Sequence, residues 1–321
     1  MAGIIDGVEG WQAPEYVVAA AFTEREVAVG SGALTVPGTV TTPRGGGPFP
    51  AVVLLAGGGP FDRDGTAGPN KNLKDIAWGL ASRGVAVLRF DKVTHAHAGQ
   101  VAATTGFTPT DEYVPHAVAA VAYLRGLAEI DADRVHVLGH SMGGRFAPRV
   151  AAAEPAVAGL IVLAGDTVPL QWSLVRVVEY LARVDPSAAA VLPTVEAVTA
   201  QAELVDSGDF SRATPADRLP FGMSGAYWLD LRAYDPAAVA AELDLPMLFL
   251  QGERDYQVTV DADLAGWRAA LADRPGVTFR TYPADDHMFF SGTGLSLPAD
   301  YARPQHVDPE VVADIADWLT T

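Results

Sequence analysis

Three residues in this 321-residue chain, a serine, an aspartate and a histidine, each follow an apolar run and together have the types needed for nucleophilic catalysis. Ser141 lies in GHSMGG, residues 139–144, between the run VHVL and the helix-like stretch RFAPRVAAA. Gly-X-Ser-X-Gly is a weak pattern alone. A strand before it and a helix after it supply the setting of a nucleophile elbow, in which the serine adopts a strained backbone and its neighbours two positions away must lack a Cβ. The helix that follows directs its partially positive amino terminus toward the same place. A serine hydroxyl needs a base, and the base needs an orienting carboxylate. Asp255 follows MLFLQG in ERDYQV, and His287 follows VTFRTYP in ADDHMFF. The order Ser141, Asp255, His287 differs from those of trypsin-like and subtilisin-like proteases.

Other residues compete for these roles. Glu253 is an alternative acid, although Asp255 lies deeper in its loop. Asp285 and Asp286 adjoin His287, and sequence neighbours rarely aim side chains at one another, so they read as loop-ordering residues. His95 and His97 follow VLRFD and read as rim histidines, while His140 should point away from a substrate. Acyl transfer also needs backbone amides aimed at the developing oxyanion, each contributing about 3–4 kcal/mol. The loop AGGGPFDRDG, after the run AVVLL, can bring such an amide close. The N–H groups of Gly58 and Met142 are the expected pair, with Gly59 as a substitute for Gly58. Asp62, Arg63 and Asp64 in that loop read as an ion-paired brace.

The elements that must position these residues alternate. From about residue 22 to 166 the runs EVAV, GTVTT, AVVLLAG, VAVLRFD, RVHVLG and AGLIVLAG are separated, after the first three, by the helical patterns KDIAWGLASRG, VPHAVAAVAYLRGL and RFAPRVAAA. Near-continuous Val/Leu/Ile runs alternating with helices predict a doubly wound, mostly parallel sheet, here preceded by a β-hairpin. Strand patterns vanish between Asp166 and about Asp244, where QWSLVRVVEYLARV is helical in spacing. They resume with PMLFLQG and VTFRTYP, and the chain closes with the helix DPEVVADIADWL. The expected organisation is a core of residues 1–166 and 245–321 with a helical cap inserted at 167–244. The cap aromatics Trp172, Tyr180, Phe221, Tyr227 and Trp228 either line a pocket or form the cap's own core, and Trp172, Tyr227 and Trp228 are the candidates for substrate contact.

Composition narrows the function classes. A net charge of −17 opposes binding to nucleic acid or anionic membranes. With no cysteine, disulfides, thiolate metal sites and cysteine nucleophiles are excluded. Neither a Gly-X-Gly-X-X-Gly nor a phosphate-loop motif occurs, and His95-X-His97 is too short to hold zinc unaided, so no cofactor and no metal are expected. The amino terminus carries Asp6 and Glu9 where a secretory signal would be basic, and no apolar run approaches the roughly 18 residues of a spanning helix. A soluble cytoplasmic protein, with a small-molecule ester as its partner, is the default; a homodimer is compatible with this reading.

The triad and its order resemble the α/β-hydrolase superfamily. GGGPFDRDGTAGPNKNLKDIAWGLASRGVAVLRFDK, GHSMGG, LQGERDYQV and the tail from Asp285 resemble a bacterial group of capped serine carboxylesterases, over most of the chain from about residue 25. The resemblance implies Ser141 as nucleophile, Asp255 as acid and His287 as base. Members of that group usually begin the oxyanion loop with His-Gly-Ser-Gly-Pro. Here Ala56 and Gly58 replace the histidine and serine, which predicts a looser loop and makes a specialised substrate or another acyl reaction more credible. The readings are an esterase of small to medium acyl esters, a lactonase, thioesterase or acyltransferase, and a hydrolase-fold binding protein that has lost catalysis.

Overall fold

The apolar runs pair into one eight-stranded sheet in a computed structural model that describes residues 10–185, 187 and 190–321. Asp6 and Glu9, and positions 186, 188 and 189 of the inserted segment, lie outside the described residues. β1 (Phe22–Val29) and β2 (Val36–Pro43) form the expected hairpin. β3 (Phe49–Leu55) leads into a loop that holds the short ribbon β4 (Thr66–Ala67) and β5 (Asn70–Lys71). α1 (Asn72–Ala81) and β6 (Ala86–Phe90) follow. Next come α2 (Val93–Ala96), α3 (Ala98–Ala103) and α4 (Pro109–Arg125). β7 (Ile130–His140) then passes through Ser141 into α5 (Met142–Ala153), and β8 (Leu160–Leu163) follows. The sheet order is β1-β2-β6-β3-β7-β8-β9-β10, with β9 (Met247–Gly252) and β10 (Val277–Tyr282) at the far side. Pairing is parallel from β6 through β10 and antiparallel around β2.

Alternation of side chains along a strand sends successive residues to opposite faces, and both faces here are apolar. Val53, Leu88, Val137, Val162 and Phe249 belong to one core cluster, which α4 and α5 cover with Ala117, Val121, Leu124, Ala147 and Val150. Val52, Leu54, Val87, Leu138, Ile161 and Leu250 belong to the other, which is covered by α1 and by the carboxyl-terminal helix Pro309–Thr320. This burial on both sides explains why the central strands read as unbroken apolar runs. Helix starts follow local chemistry: Thr108 and Asp111 form a capping box before α4, and Asp308 accepts from the Glu310 amide with Pro309 at the first helical position.

Between β8 and β9 the described residues contain helices and no strand: α6 (Leu170–Val184), α7 (Val195–Asp206), α8 (Gly225–Arg232) and α9 (Pro236–Ala241). α6 and α7 pack through Val175, Val178, Val198 and Ala202. α9 places Ala237 and Ala240 in the core cluster that also covers the sheet, so its apolar face belongs to the layer that includes α5. α10 (Ala265–Leu271) and α11 (Pro309–Thr320) complete the flanks. Connections leave the sheet at its carboxyl edge just after Leu55, His140, Leu163, Gly252 and Tyr282, which sets Gly57, Ser141, Asp255 and His287 along one edge.

Leu138, in the central strand β7, is fully buried. Leu138→Ala should therefore lower unfolding free energy by about 2–5 kcal/mol through lost burial and a residual cavity; a urea melt with an unmoved midpoint would contradict this packing.

Candidate active site

Ser141 has φ 55° and ψ −124°, a region that costs a non-glycine residue on the order of 1–3 kcal/mol. The turn persists because it is clamped by backbone. The Ser141 amide donates to the Leu163 carbonyl at 2.8 Å, and its carbonyl accepts the Arg145 amide at 3.0 Å as the first bond of α5. A Cβ on Gly143 would lie 2.5 Å from the Leu55 carbonyl oxygen and 2.7 Å from that of Ala56, and one on Gly139 would meet the Gly143 carbonyl. Both glycines are thus required by close approach.

His287 Nε2 lies 3.0 Å from Ser141 Oγ, and its Nδ1 lies 2.7 Å from Asp255 Oδ2. A carboxylate can only accept, so Nδ1 carries the hydrogen and Nε2 faces the serine hydroxyl as an acceptor. Asp255 is held independently. Its Oδ1 accepts the amides of Gln257 and Val258 at 2.7 and 3.0 Å, and its Oδ2 also accepts Gln251 Nε2 at 3.0 Å. Burial alone would depress the His287 pKa; the Asp255 carboxylate, with smaller contributions from Asp286 and Asp166, outweighs it and raises the value above the ordinary 6.5. Glu253 takes no part, since it is exposed and accepts from Thr281 Oγ1.

The neighbouring acids and histidines order the loops. Asp286 Oδ1 accepts the Met288 and Phe290 amides, and Asp285 Oδ1 accepts the Ser291 hydroxyl. Burial pushes their carboxyls up to about 6 and about 7. His140 donates from Nε2 to the His287 carbonyl at 2.7 Å, and burial lowers its pKa to about 3, so it is a neutral strut beneath His287. His95 and His97 contact the Pro60 and Thr35 carbonyls at the rim.

Across the site, a Cβ on Gly57 would lie 3.2 Å from Ser141 Cβ, and one on Gly58 would lie 3.2 Å from Met142 Sδ. The Gly58 amide donates to no acceptor among the described residues, and the Met142 amide, in the first turn of α5, has no intrahelical acceptor. Both candidate oxyanion donors therefore adjoin the serine. The loop, in which Ala56 stands where the resemblance expects histidine, is held through a backbone carbonyl. The Gly57 carbonyl accepts from Lys92 Nζ at 2.7 Å and from Tyr113 Oη at 2.8 Å. Neither residue stood out in the sequence, because a lysine after a strand ordinarily reads as a solvated charge. Farther along, Asp62 accepts from the Thr66 amide and hydroxyl, Arg63 pairs with Asp91 at 2.9 Å, and Asp64 pairs with Lys71 and Arg89 at 2.8 and 2.9 Å. The DRDG segment is an ion-paired brace.

The three aromatic residues predicted to contact substrate have separate fates. Trp172 donates to Asp206 Oδ2 at 2.7 Å and ties α6 to α7. Tyr227 is buried in the cluster that contains Met142 and donates to Glu112 Oε2 at 2.8 Å. Trp228 is 0% exposed and donates to the Pro220 carbonyl, so it has no surface to offer a ligand: it forms the inserted segment's core. The sequence reading missed Tyr256, which stacks on Tyr180 at 4.8 Å beside Asp255. That pair, with Arg176, Arg183 and Ser296, borders a cleft of about 390 Å³ whose wall does not include Ser141 or His287. Among the described residues no cluster of three or more His, Asp or Glu side chains is placed to hold a metal ion, and no helix is long and apolar enough to cross a membrane.

A model of the alpha/beta hydrolase family matches residues 25–303. The chain belongs to that family. It is 37% identical to esterase EstD of Thermotoga maritima over 309 residues, spanning 96% of this chain and 70% of that relative. Among solved structures it is similar to Est1E of Butyrivibrio proteoclasticus, with a TM-score of 0.57 at 16% identity over 92% of this chain and 99% of that one. It is also similar to a 2,6-dihydroxy-pseudo-oxynicotine hydrolase, with a TM-score of 0.56 at 20% identity over 92% of this chain and 66% of that one. At such identities the two structures speak for the alpha/beta hydrolase fold alone.

The opposed effects of burial and carboxylate on His287 can be separated. Asp255→Asn removes the strongest of the interactions that raise the imidazole pKa and leaves burial opposed only by Asp286 and Asp166, so the pKa should fall from its wild-type position above 6.5. An NMR titration of the His287 ring in both proteins checks this; equal midpoints would show that the carboxylate is not the dominant partner.

Proposed function

We propose that this alpha/beta hydrolase is a serine carboxylesterase acting on small to medium acyl esters through an acyl-enzyme. The observation that supports it most is the unbroken chain of contacts from Asp255 through His287 to Ser141 Oγ, at 2.7 and 3.0 Å, with Gly57 packed close to Ser141 and Gly58 close to Met142. The name of the Thermotoga maritima relative, an esterase, agrees with it.

In this mechanism His287 Nε2 takes the Ser141 proton as Oγ attacks the ester carbonyl carbon, and the carbonyl oxygen becomes an oxyanion facing the Gly58 and Met142 amides. Collapse breaks the carbon–oxygen bond to the alcohol, which leaves with the proton from His287. Water, deprotonated by the same imidazole, attacks the acyl-enzyme; the acid departs and Ser141 regains its proton. Asp255 fixes the tautomer and stabilises the imidazolium without taking the proton. The helices between β8 and β9 serve as a cap over the acyl or alcohol group, and Tyr227 of that segment shares a buried cluster with Met142.

Because the base must be unprotonated, kcat/KM should rise with pH through an apparent pKa above 6.5. A fluorophosphonate should add to Ser141 in the native protein and not to Ser141→Ala. p-Nitrophenyl acetate and butyrate should be cleaved, with kcat falling by about 10³-fold or more in Ser141→Ala or His287→Ala. Unchanged turnover in His287→Ala would remove the proposed base. Absence of labelling in the native protein would favour the binding-protein reading, and a panel in which lactones or thioesters outrun oxygen esters would move the activity to those acyl donors.

A further inference from the structure

Three side chains near the elbow, Lys92, Glu112 and Tyr113, are 4, 6 and 3% exposed, and the acyl-transfer steps use none of them. Burying a lysine is costly unless its charge is met; here Glu112 meets it, while the ammonium and the Tyr113 hydroxyl converge on one peptide carbonyl. Lys92 Nζ donates to the Gly57 carbonyl at 2.7 Å and to Tyr113 Oη at 2.8 Å, and pairs with Glu112 Oε1 at 2.8 Å. Tyr113 Oη donates to the same Gly57 carbonyl at 2.8 Å. Glu112 is fixed in turn by the Thr94 hydroxyl at 3.0 Å and by Tyr227 Oη of the inserted segment at 2.8 Å. The Lys92 amide also donates to the Phe61 carbonyl at 3.2 Å, so one residue grips both ends of the loop 57–61.

The Gly57–Gly58 peptide is trans. The carbonyl of Gly57 and the N–H of Gly58 therefore point in opposite directions within one plane. We propose that Lys92, acting with Tyr113, is the positioning residue of the oxyanion hole: the pair holds the Gly57 carbonyl so that the Gly58 N–H is turned toward the oxygen that develops on substrate at Ser141. This deepens the esterase reading and rests on it. Two donors on one carbonyl, one of them cationic, also polarise the amide and make its N–H a stronger donor at low local dielectric. Lys92 touches no substrate and acts through the peptide. Its charge is sustained by Glu112: burial pulls the ammonium below the ordinary lysine range, and the carboxylate offsets part of that fall. The network also explains how the loop keeps its place with Ala56 where a histidine usually stands.

A contribution to the fold alone would change stability without separating kcat from KM. For Lys92→Met, p-nitrophenyl butyrate turnover should show kcat reduced about 10–100-fold, short of the full loss of one oxyanion donor, with KM nearly unchanged. The rate at which diethyl p-nitrophenyl phosphate phosphorylates Ser141 should fall in parallel, since its phosphoryl oxygen meets the same amides. Tyr113→Phe, which keeps volume and removes one donor, should reduce both rates by a smaller factor. A folded Lys92→Met protein with wild-type kcat, or with raised KM and unchanged kcat, overturns the proposal. If that variant does not fold, Tyr113→Phe decides by the same criterion. Wild-type protein that is not phosphorylated at Ser141 overturns the esterase reading instead, which separates the two failures.

Discussion

The contact on which the site depends is between two stretches of bare backbone, the elbow at Gly143 and the end of β3 at Leu55 and Ala56. Any Cβ at Gly143 would fall within 2.5–2.7 Å of the two carbonyl oxygens there, so the distance between Ser141 and the loop after β3 is set by main chain on both sides. Side chains can adjust by rotamer changes; packed backbone cannot. The strain at Ser141 is thereby sustained, and the proposed oxyanion donors, the first-turn amide of Met142 and the loop amide of Gly58, come from two different crossovers. The parallel register of β3 with β7 carries this contact: Leu54 lies opposite Leu138 and Leu55 opposite Gly139, which brings Ala56 and Gly57 level with His140 and Ser141.

Features written into short stretches of sequence were legible. Apolar runs covered on both faces announced β3, β6, β7, β8 and β9, and Asp308-Pro309 announced α11. Ser141, Asp255 and His287 stood at the ends of such runs, so their convergence followed from a parallel sheet, whose strands end on one edge. Glu253 and Asp255 were separated by depth in a single loop. What escaped notice depends on partners far along the chain. Lys92 and Glu112 have the types of surface residues, and only the juxtaposition of the segment after β6 with α4 makes them a buried pair. His140 was expected to turn from the substrate; that it supports the His287 carbonyl depends on a loop 147 residues away. Trp228 fitted a pocket wall and the interior of a helical segment equally well, because helical spacing marks an apolar face without saying what covers it.

Charge is spent unevenly over this acidic chain. In the DRDG brace Arg63 and Lys71 are partly exposed, whereas Arg89 is buried and reaches both Asp64 and the partly exposed Glu24 of the hairpin. The pairs that reach solvent contribute through register more than through net stability, since solvent screens them. The Lys92–Glu112 pair differs in having both partners sealed from water. A buried ion pair seldom outperforms a well-packed apolar one in stability, so its persistence next to the oxyanion loop is better understood through the geometry it imposes, each donor and acceptor being satisfied in one arrangement.

Anchoring an oxyanion loop through a carbonyl rather than through a side chain of the loop has a structural consequence. A histidine at the head of the loop would have to carry its own partners, and the backbone would follow the side chain. With the anchor on the Gly57 carbonyl, residues 56–59 need no functional side chains, and AGGG is sufficient. The demand passes to residues outside the loop, Lys92 after β6 and Tyr113 on α4, with Glu112 linked to Tyr227 on α8. The inserted helices thus reach the oxyanion peptide through three buried side chains, and the seating of α8 and the orientation of one N–H become parts of the same hydrogen-bonded network.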